Sequence, residues 1–203
     1  MASSFDNILK FSSSLEELSN SQDTYILFID MCDSTEFKKY CFQNEMPDSV
    51  WILRQHFFLV RCSKIIRSYN GIIVKTIGDE VMATFDLTTE PISIIRCVIE
   101  IFGSFQNIKA YNKGKFTILS KASIDFGECY NGSVFDNVLF DPIGSCVDRC
   151  ARIAKFASEK EIVLSKDYYD LISNEIDTLG IEIELKKEDL KGLGYEDFYV
   201  VKF

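Results

Sequence analysis

A chain of 203 residues with 47% hydrophobic and 26% charged content has the composition of one soluble globular domain. Its net charge of −9 argues against a nucleic-acid surface, which normally carries a basic patch. No apolar run approaches the ~18 residues that span a bilayer, so a membrane-spanning reading is excluded as well.

The elements predicted along the chain alternate between helices and strands. Phe5, Ile8, Leu9, Leu15 and Leu18 suggest a short amphipathic helix, so residues 1–22 are expected to form a helical extension to a single domain at 23–203. Met1-Ala2-Ser3-Ser4-Phe5-Asp6 lacks the basic and apolar blocks of a signal peptide, and the odd count of seven cysteines reads as reduced thiols; both lead to a cytoplasmic expectation. Asp23–Asp30 is a strand, and the turn Cys32-Asp33-Ser34-Thr35 can cap the next helix, with Asp33 as the capping residue. Asp48, after Pro47, can cap a long helix to about Tyr69, with Trp51, Phe58, Cys62, Ile65 and Ile66 on its apolar face. A hairpin follows at Gly71–Phe85, then a helix from Pro91 to about Tyr111 and a strand at Phe116–Phe126. Glu128–Phe140 reads as a further strand with a loop, Gly144–Ala157 as a helix, Glu161–Ser165 as a strand and Lys166–Ser173 as a helix. A hairpin at Ile181–Lys202 ends the chain. This order implies an α+β sandwich with a mostly antiparallel sheet and flanking helices.

Two carboxylates stand out because each closes a hydrophobic run. Asp30 ends Tyr25-Ile26-Leu27-Phe28-Ile29, and Asp79 sits in the turn of the Gly71–Phe85 hairpin. Two strand-end carboxylates side by side are hard oxygen ligands for Mg²⁺ or Mn²⁺, with positions left for phosphates and water. That pattern points to metal-dependent chemistry on a nucleoside triphosphate.

Five segments, in register from about residue 23 to 203, together resemble the catalytic domain of class III nucleotidyl cyclases. Phe28 to Thr35 is similar to the first metal motif, and Lys75 to Ala83 to the second. Ala122 to Glu128 is similar to the central strand, Asp141 to Arg152 to the substrate and transition-state segment, and Leu190 to Gly194 to the last hairpin. The resemblance implies a ferredoxin-like βαββαβ core and conversion of a nucleoside triphosphate to a 3′,5′-cyclic nucleotide plus pyrophosphate. It implies two divalent ions on Asp30, Asp79 and the backbone carbonyl of Met31. Amides near Ser34 and Thr35, together with Lys191, would bind the phosphates, and Arg152 would neutralise charge on the α-phosphate. It also implies a homodimer with shared active sites, in which Lys75, Asp141, Asp148 and Arg152 of one subunit face Asp30 and Asp79 of the other.

One position departs from the family pattern. Asp148 stands where an asparagine usually orients the ribose, and an ionised carboxylate can only accept a hydrogen bond. Three readings stay open: a different sugar pose, a tether for Arg152 four residues on, or weakened catalysis. Lys75 and Asp141 occupy the base-reading positions of adenylyl cyclases. A donor beside an acceptor suits adenine, but cytosine offers the same pattern and uracil fits with the roles exchanged. The pair argues against guanine more strongly than it argues for adenine. The compact chain and Trp51-Ile52-Leu53-Arg54-Gln55 also look similar to the stand-alone pyrimidine cyclases of bacterial anti-phage (Pycsar) signalling. That resemblance implies cyclic UMP or cyclic CMP acting on a separate effector protein; an adenylate cyclase making cyclic AMP is the alternative. An aromatic filling purine space would favour a pyrimidine, and Phe28, Trp51, Phe126 and Phe140 are the residues to consider.

Several residues carry a plainer reading. His56, the single histidine, is expected to be structural or at the surface, and Glu80 to be a solvated hairpin residue rather than a third ligand. A non-catalytic nucleotide-binding pseudo-cyclase would lack a metal carboxylate or the transition-state arginine, and Asp30, Asp79 and Arg152 are all present.

Overall fold

The alternation of apolar side chains along the strands forces a central sheet buried on both faces. A computed structural model describes residues 21–108, 115–132, 140–176 and 179–203. The helix predicted within residues 1–22 falls almost wholly outside them, and residues 21 and 22 already belong to the first strand. The described elements are β1 (Ser21–Met31), α1 (Ser34–Gln43), α2 (Ser49–Ser68), β2 (Ile72–Ile77), β3 (Glu80–Phe85), α3 (Pro91–Ser104), β4 (Ser120–Asn131) and β5 (Pro142–Ile143). They continue with α4 (Ser145–Ile153), a 3₁₀ turn (Ala154–Phe156), β6 (Glu161–Ser165), α5 (Lys166–Ile176), β7 (Glu182–Leu190) and β8 (Gly194–Lys202).

The sheet runs β2-β3-β1-β4-β6-β8-β7, with β5 added to the end of β4. Every pairing is antiparallel except β4 with β6, and β1 to β4 with their helices form the βαββαβ core. Leu27, Ile29, Val81, Ala83, Phe85 and Ile124 point to the face covered by α2, α3 and α5. Ile26, Phe28 and Met82 point to the other face, where Cys146 and Cys150 of α4 meet them. Among the described residues, no helix is long and apolar enough to cross a membrane.

Three predicted boundaries are corrected. The two strands expected at Phe116–Phe126 and Glu128–Phe140 are one strand, β4, because it pairs with β1 without a break from Ser120↔Met31 to Tyr130↔Ser21. Helix α3 stops at Ser104 rather than near Tyr111, which lies outside the described residues. Asp33 takes the N-cap place of α1 in a left-handed conformation (φ 55°), but its side chain makes no capping bond.

Candidate active site

Asp30 and Asp79 come together because β1 and β3 are paired in register. Asp30 lies opposite Glu80, which places the Gly78-Asp79 turn of the hairpin beside the end of β1. Gly78 holds φ 65°, a conformation for which glycine carries no steric penalty. The two carboxylates line a cleft of about 500 Å³ with Met31, Ser34, Thr35 and Lys121. The same walls carry Asp33, Glu36 and Glu159, so five carboxylates face a single ammonium there. A triphosphate would be repelled from such a cleft unless cations came with it.

The crowding shows in the carboxyl groups themselves. Burial first, then the Asp79 charge, pushes the Asp30 carboxyl up, while Lys121 opposes the rise from 3.6 Å. Glu80 is pushed up to about 7 by burial and by its neighbours Asp30 and Asp79. It is half-buried, which corrects the expectation of a solvated hairpin residue. A hard dication would remove this strain, so the donor set of two carboxylates and the Met31 carbonyl fits Mg²⁺ or Mn²⁺.

Ser34 and Thr35 open α1 directly above Asp30. The first intrahelical bond runs from Phe37 N to the Asp33 carbonyl, 2.9 Å, so the preceding amides have no partner within the helix. They border the cleft as an anion-binding helix start would.

Helix α2 braces both metal-proposed segments. Arg54 is buried, donates to Met31 Sδ (3.2 Å) and the Thr117 carbonyl (3.1 Å), and lies over the Phe37 ring. Gln55 Nε2 donates to the Gly78 carbonyl at 2.7 Å. Trp51 borders the space beside Thr35 and Asp79 and carries Lys38 Nζ 4.0 Å above its ring. His56 is exposed on the same helix.

The second group of predicted residues lies elsewhere. Lys75 Nζ donates to both oxygens of Asp141, at 2.8 and 3.0 Å, so the two base-reading candidates form one ion pair within the chain. Val74, Phe28 and Phe140 pack in the apolar cluster beside them, whereas Phe126 meets the Tyr25 ring at a tilt, centroids 5.1 Å apart, in the other core cluster. Asp148 is exposed and lines a separate hollow with Pro142, Ile143, Gly144, Ser145, Val147 and Leu193. Among the described residues no ion pair joins Asp148 to Arg152. Arg152 Nε is buried without a hydrogen-bond partner, and Nη2 lies 3.8 Å from where a side chain on Gly192 would begin. Lys191, next to that glycine, is exposed in the β7–β8 turn. None of Lys75, Asp141, Asp148, Arg152 or Lys191 lines the Asp30–Asp79 cleft.

Sequence reading missed Lys121 and Arg149. Lys121 needed the β1–β4 register, which sets it opposite Asp30. A signal for Arg149 was visible: Asp125 interrupts the apolar run of β4, and a carboxylate there requires a partner. Arg149 supplies it through two 2.8 Å bonds.

The chain belongs to the adenylate and guanylate cyclase catalytic domain family, whose sequence profile matches residues 17–202. The fold is similar to that of the guanylate cyclase domain of RhGC from Catenaria anguillulae, solved in complex with GTP. That match has TM-score 0.73 and 15% identity and covers 90% of this chain and 98% of the other. The adenylyl cyclase CyaB from P. aeruginosa gives TM-score 0.72 at 20% identity, covering 91% and 95% of the two chains. The guanylyl cyclase Cya2 gives 0.72 at 15%, covering 90% and 92%. At these identities the structural likeness bears on the fold alone. No curated protein matches the sequence. The protein is thus a class III nucleotidyl cyclase catalytic domain, a lyase by its chemistry.

Proposed function

We propose that the chain is a pyrimidine cyclase, converting UTP or CTP to the 3′,5′-cyclic nucleotide and pyrophosphate at sites shared between two copies. The observation that carries the cyclase chemistry is the cleft in which Asp30, Asp79, Ser34 and Thr35 meet around an excess of negative charge. Divalent ions held by Asp30, Asp79 and the Met31 carbonyl would lower the pKa of the ribose 3′-hydroxyl and neutralise the phosphates. The 3′-oxygen attacks the α-phosphorus in line as the bond to the pyrophosphate oxygen breaks. The amides of Ser34 and Thr35, with Lys121 and Lys191, hold the β- and γ-phosphates. Arg152 donates to the α-phosphate as its charge redistributes, and Asp148 accepts from the sugar.

The shared site is supported by the separation just described: the residues proposed for base, sugar and transition state do not border the metal cleft of their own chain. A second copy completes each site.

Lys75 and Asp141 read the base by donating and accepting one hydrogen bond each. Phe140 adjoins Asp141 and packs against the apolar cluster that holds Phe28, so its ring is the aromatic nearest the pair in sequence and would favour a single-ring base. The resemblance of Trp51–Gln55 to the Pycsar cyclases supports a role in anti-phage signalling, in which a separate effector protein would sense the product. The pair itself favours a second reading, adenylate cyclase, because adenine N1 and its amine meet the same donor and acceptor.

Incubation of the purified chain with Mn²⁺ and each of ATP, GTP, CTP and UTP, followed by chromatography of the products, tests this directly. Cyclic UMP or cyclic CMP as the main product is expected. Cyclic AMP as the main product contradicts the pyrimidine reading, and no product from any of the four contradicts the cyclase reading.

A further inference from the structure

Arg149 has no role in the chemistry above, yet it joins α4 to three other elements. Its Nε donates to Asp125 Oδ2 and its Nη2 to Asp125 Oδ1, both at 2.8 Å. Nη2 also reaches Asp167 at the start of α5, and Nη1 lies 3.9 Å from Glu196 Oε2 on β8. Asp125 is 0% exposed in the middle of β4 and accepts a further bond from the Phe126 amide at 2.6 Å. Burial pushes its carboxyl up and the guanidinium opposes that shift. The planar fork of arginine matches a buried carboxylate in a way that lysine cannot. Helix α4 has nine residues and no side-chain cap at its N-terminus, so this fastening is its main polar tie to the sheet.

Residues three apart share a helix face, which puts Arg152 beside Arg149. Arg149 is thus the residue of the helix that pairs with these three carboxylates. Arg152 makes no ion pair among the described residues, and its Nε has no hydrogen-bond partner.

We propose that Arg149, seated on the buried carboxylate of Asp125, is a positioning residue: it fixes α4 on the sheet and so sets the place of the Arg152 guanidinium that meets the α-phosphate. This rests on the cyclase reading for the role of Arg152. Without Arg149, α4 loses this fastening, and the Arg152 guanidinium it carries is no longer held in place for the α-phosphate. Contacts to the base and to the β- and γ-phosphates lie elsewhere, and Asp148 on α4 makes a single contact to the sugar, so the loss falls mainly on turnover rather than on binding.

Arg149→Ala alone would leave Asp125 buried and unpaired, so unfolding would confound it. The Asp125→Asn/Arg149→Gln double variant keeps two side chains that can hydrogen-bond and leaves no buried charge. Its kinetics are measured with the triphosphate that the unaltered chain cyclises best. Alongside, hydrogen exchange of the α4 amides and binding of a 3′-deoxy triphosphate, which cannot cyclise, are followed. The expected result is a kcat about 10–100-fold lower with KM and analogue affinity within about threefold. Exchange in α4 is expected to rise about tenfold. Arg149→Lys, which keeps the charge without the fork, should fall between. A folded double variant with kcat within about twofold of the unaltered chain overturns the proposal, as does a loss carried by KM. If the unaltered chain forms no cyclic nucleotide, the cyclase reading fails separately. Exchange in α4 then judges the fastening: faster exchange supports it and unchanged exchange overturns it.

Discussion

The two halves of the candidate site treat their charges in opposite ways. At the β1 and β3 ends, Asp30, Asp79 and Glu80 crowd together against one lysine 3.6 Å from Asp30, and burial, with that crowding added, drives the Asp30 and Glu80 carboxyls up. On the far side, Lys75 already holds Asp141, and Arg149 holds Asp125. The first half carries an excess of negative charge that a cation would balance. The second is satisfied by itself, and under the proposed function a base would have to open the Lys75–Asp141 pair. That pair is 45% and 32% exposed, so opening it costs little, about 1 kcal/mol or less. Under the proposed function, the crowded carboxylates form the half that binds metal and phosphate, and the paired charges the half that selects or supports.

The contrast breaks most visibly at the carboxylates. Asp30→Ala and Asp79→Ala should each lower product formation by at least about 10³-fold. Neither should lower the thermal midpoint at pH 7.5, because each removes a repelling charge; circular dichroism melts check the fold. A clear loss of stability would mean that the pair is structural.

The selecting half should respond more gently. Lys75→Ala or Asp141→Ala is expected to reduce kcat/KM by about 10–100-fold and to flatten the preference among the four triphosphates. Competition assays with mixed substrates read that preference. An unchanged base profile would remove the pair from recognition.

The smallest effect is thermodynamic. A raised carboxyl pKa means that the folded chain holds its proton more tightly than the unfolded one. Glu80 therefore favours the fold fully below its ordinary value of 4.5, and that advantage is lost as pH climbs through about 7. Melting curves of Glu80→Gln should fall less steeply than those of the unaltered chain between those pH values. Added Mn²⁺ should raise the midpoint by about 2–4 °C at pH 7.5 and by less as pH falls, because protons compete with the ion for the raised Asp30 and Glu80 carboxyls.

Much of the fold was readable because the strands announce themselves. Tyr25–Ile29 and Val81–Phe85 are runs too apolar to be anything but central, and Asp30 and Asp79 mark where those runs stop. Glu161–Ser165 fell in place to the residue. The break wrongly placed within β4 has a physical reason: Asp125, Gly127 and Glu128 look like strand-ending residues until Arg149 satisfies the first and β1 pairs alongside all three. Contacts made at a distance in sequence were not legible. Arg54 on Met31 and Gln55 on Gly78 each join residues 23 apart, and nothing in either segment names the other. Asp33 misled in the opposite way, since a residue suited to capping sits at the cap but leaves its carboxylate to the cleft.

The division of labour between two copies is tested most directly by pairing two inactive variants. Asp30→Ala and Arg152→Ala chains carrying different tags are co-expressed, and the mixed dimer is isolated through both tags. If each site takes its metal carboxylates from one copy and its arginine from the other, the mixed dimer has one intact site and recovers about half of the unaltered dimer's activity. A mixed dimer as inactive as its two parents would contradict the shared site.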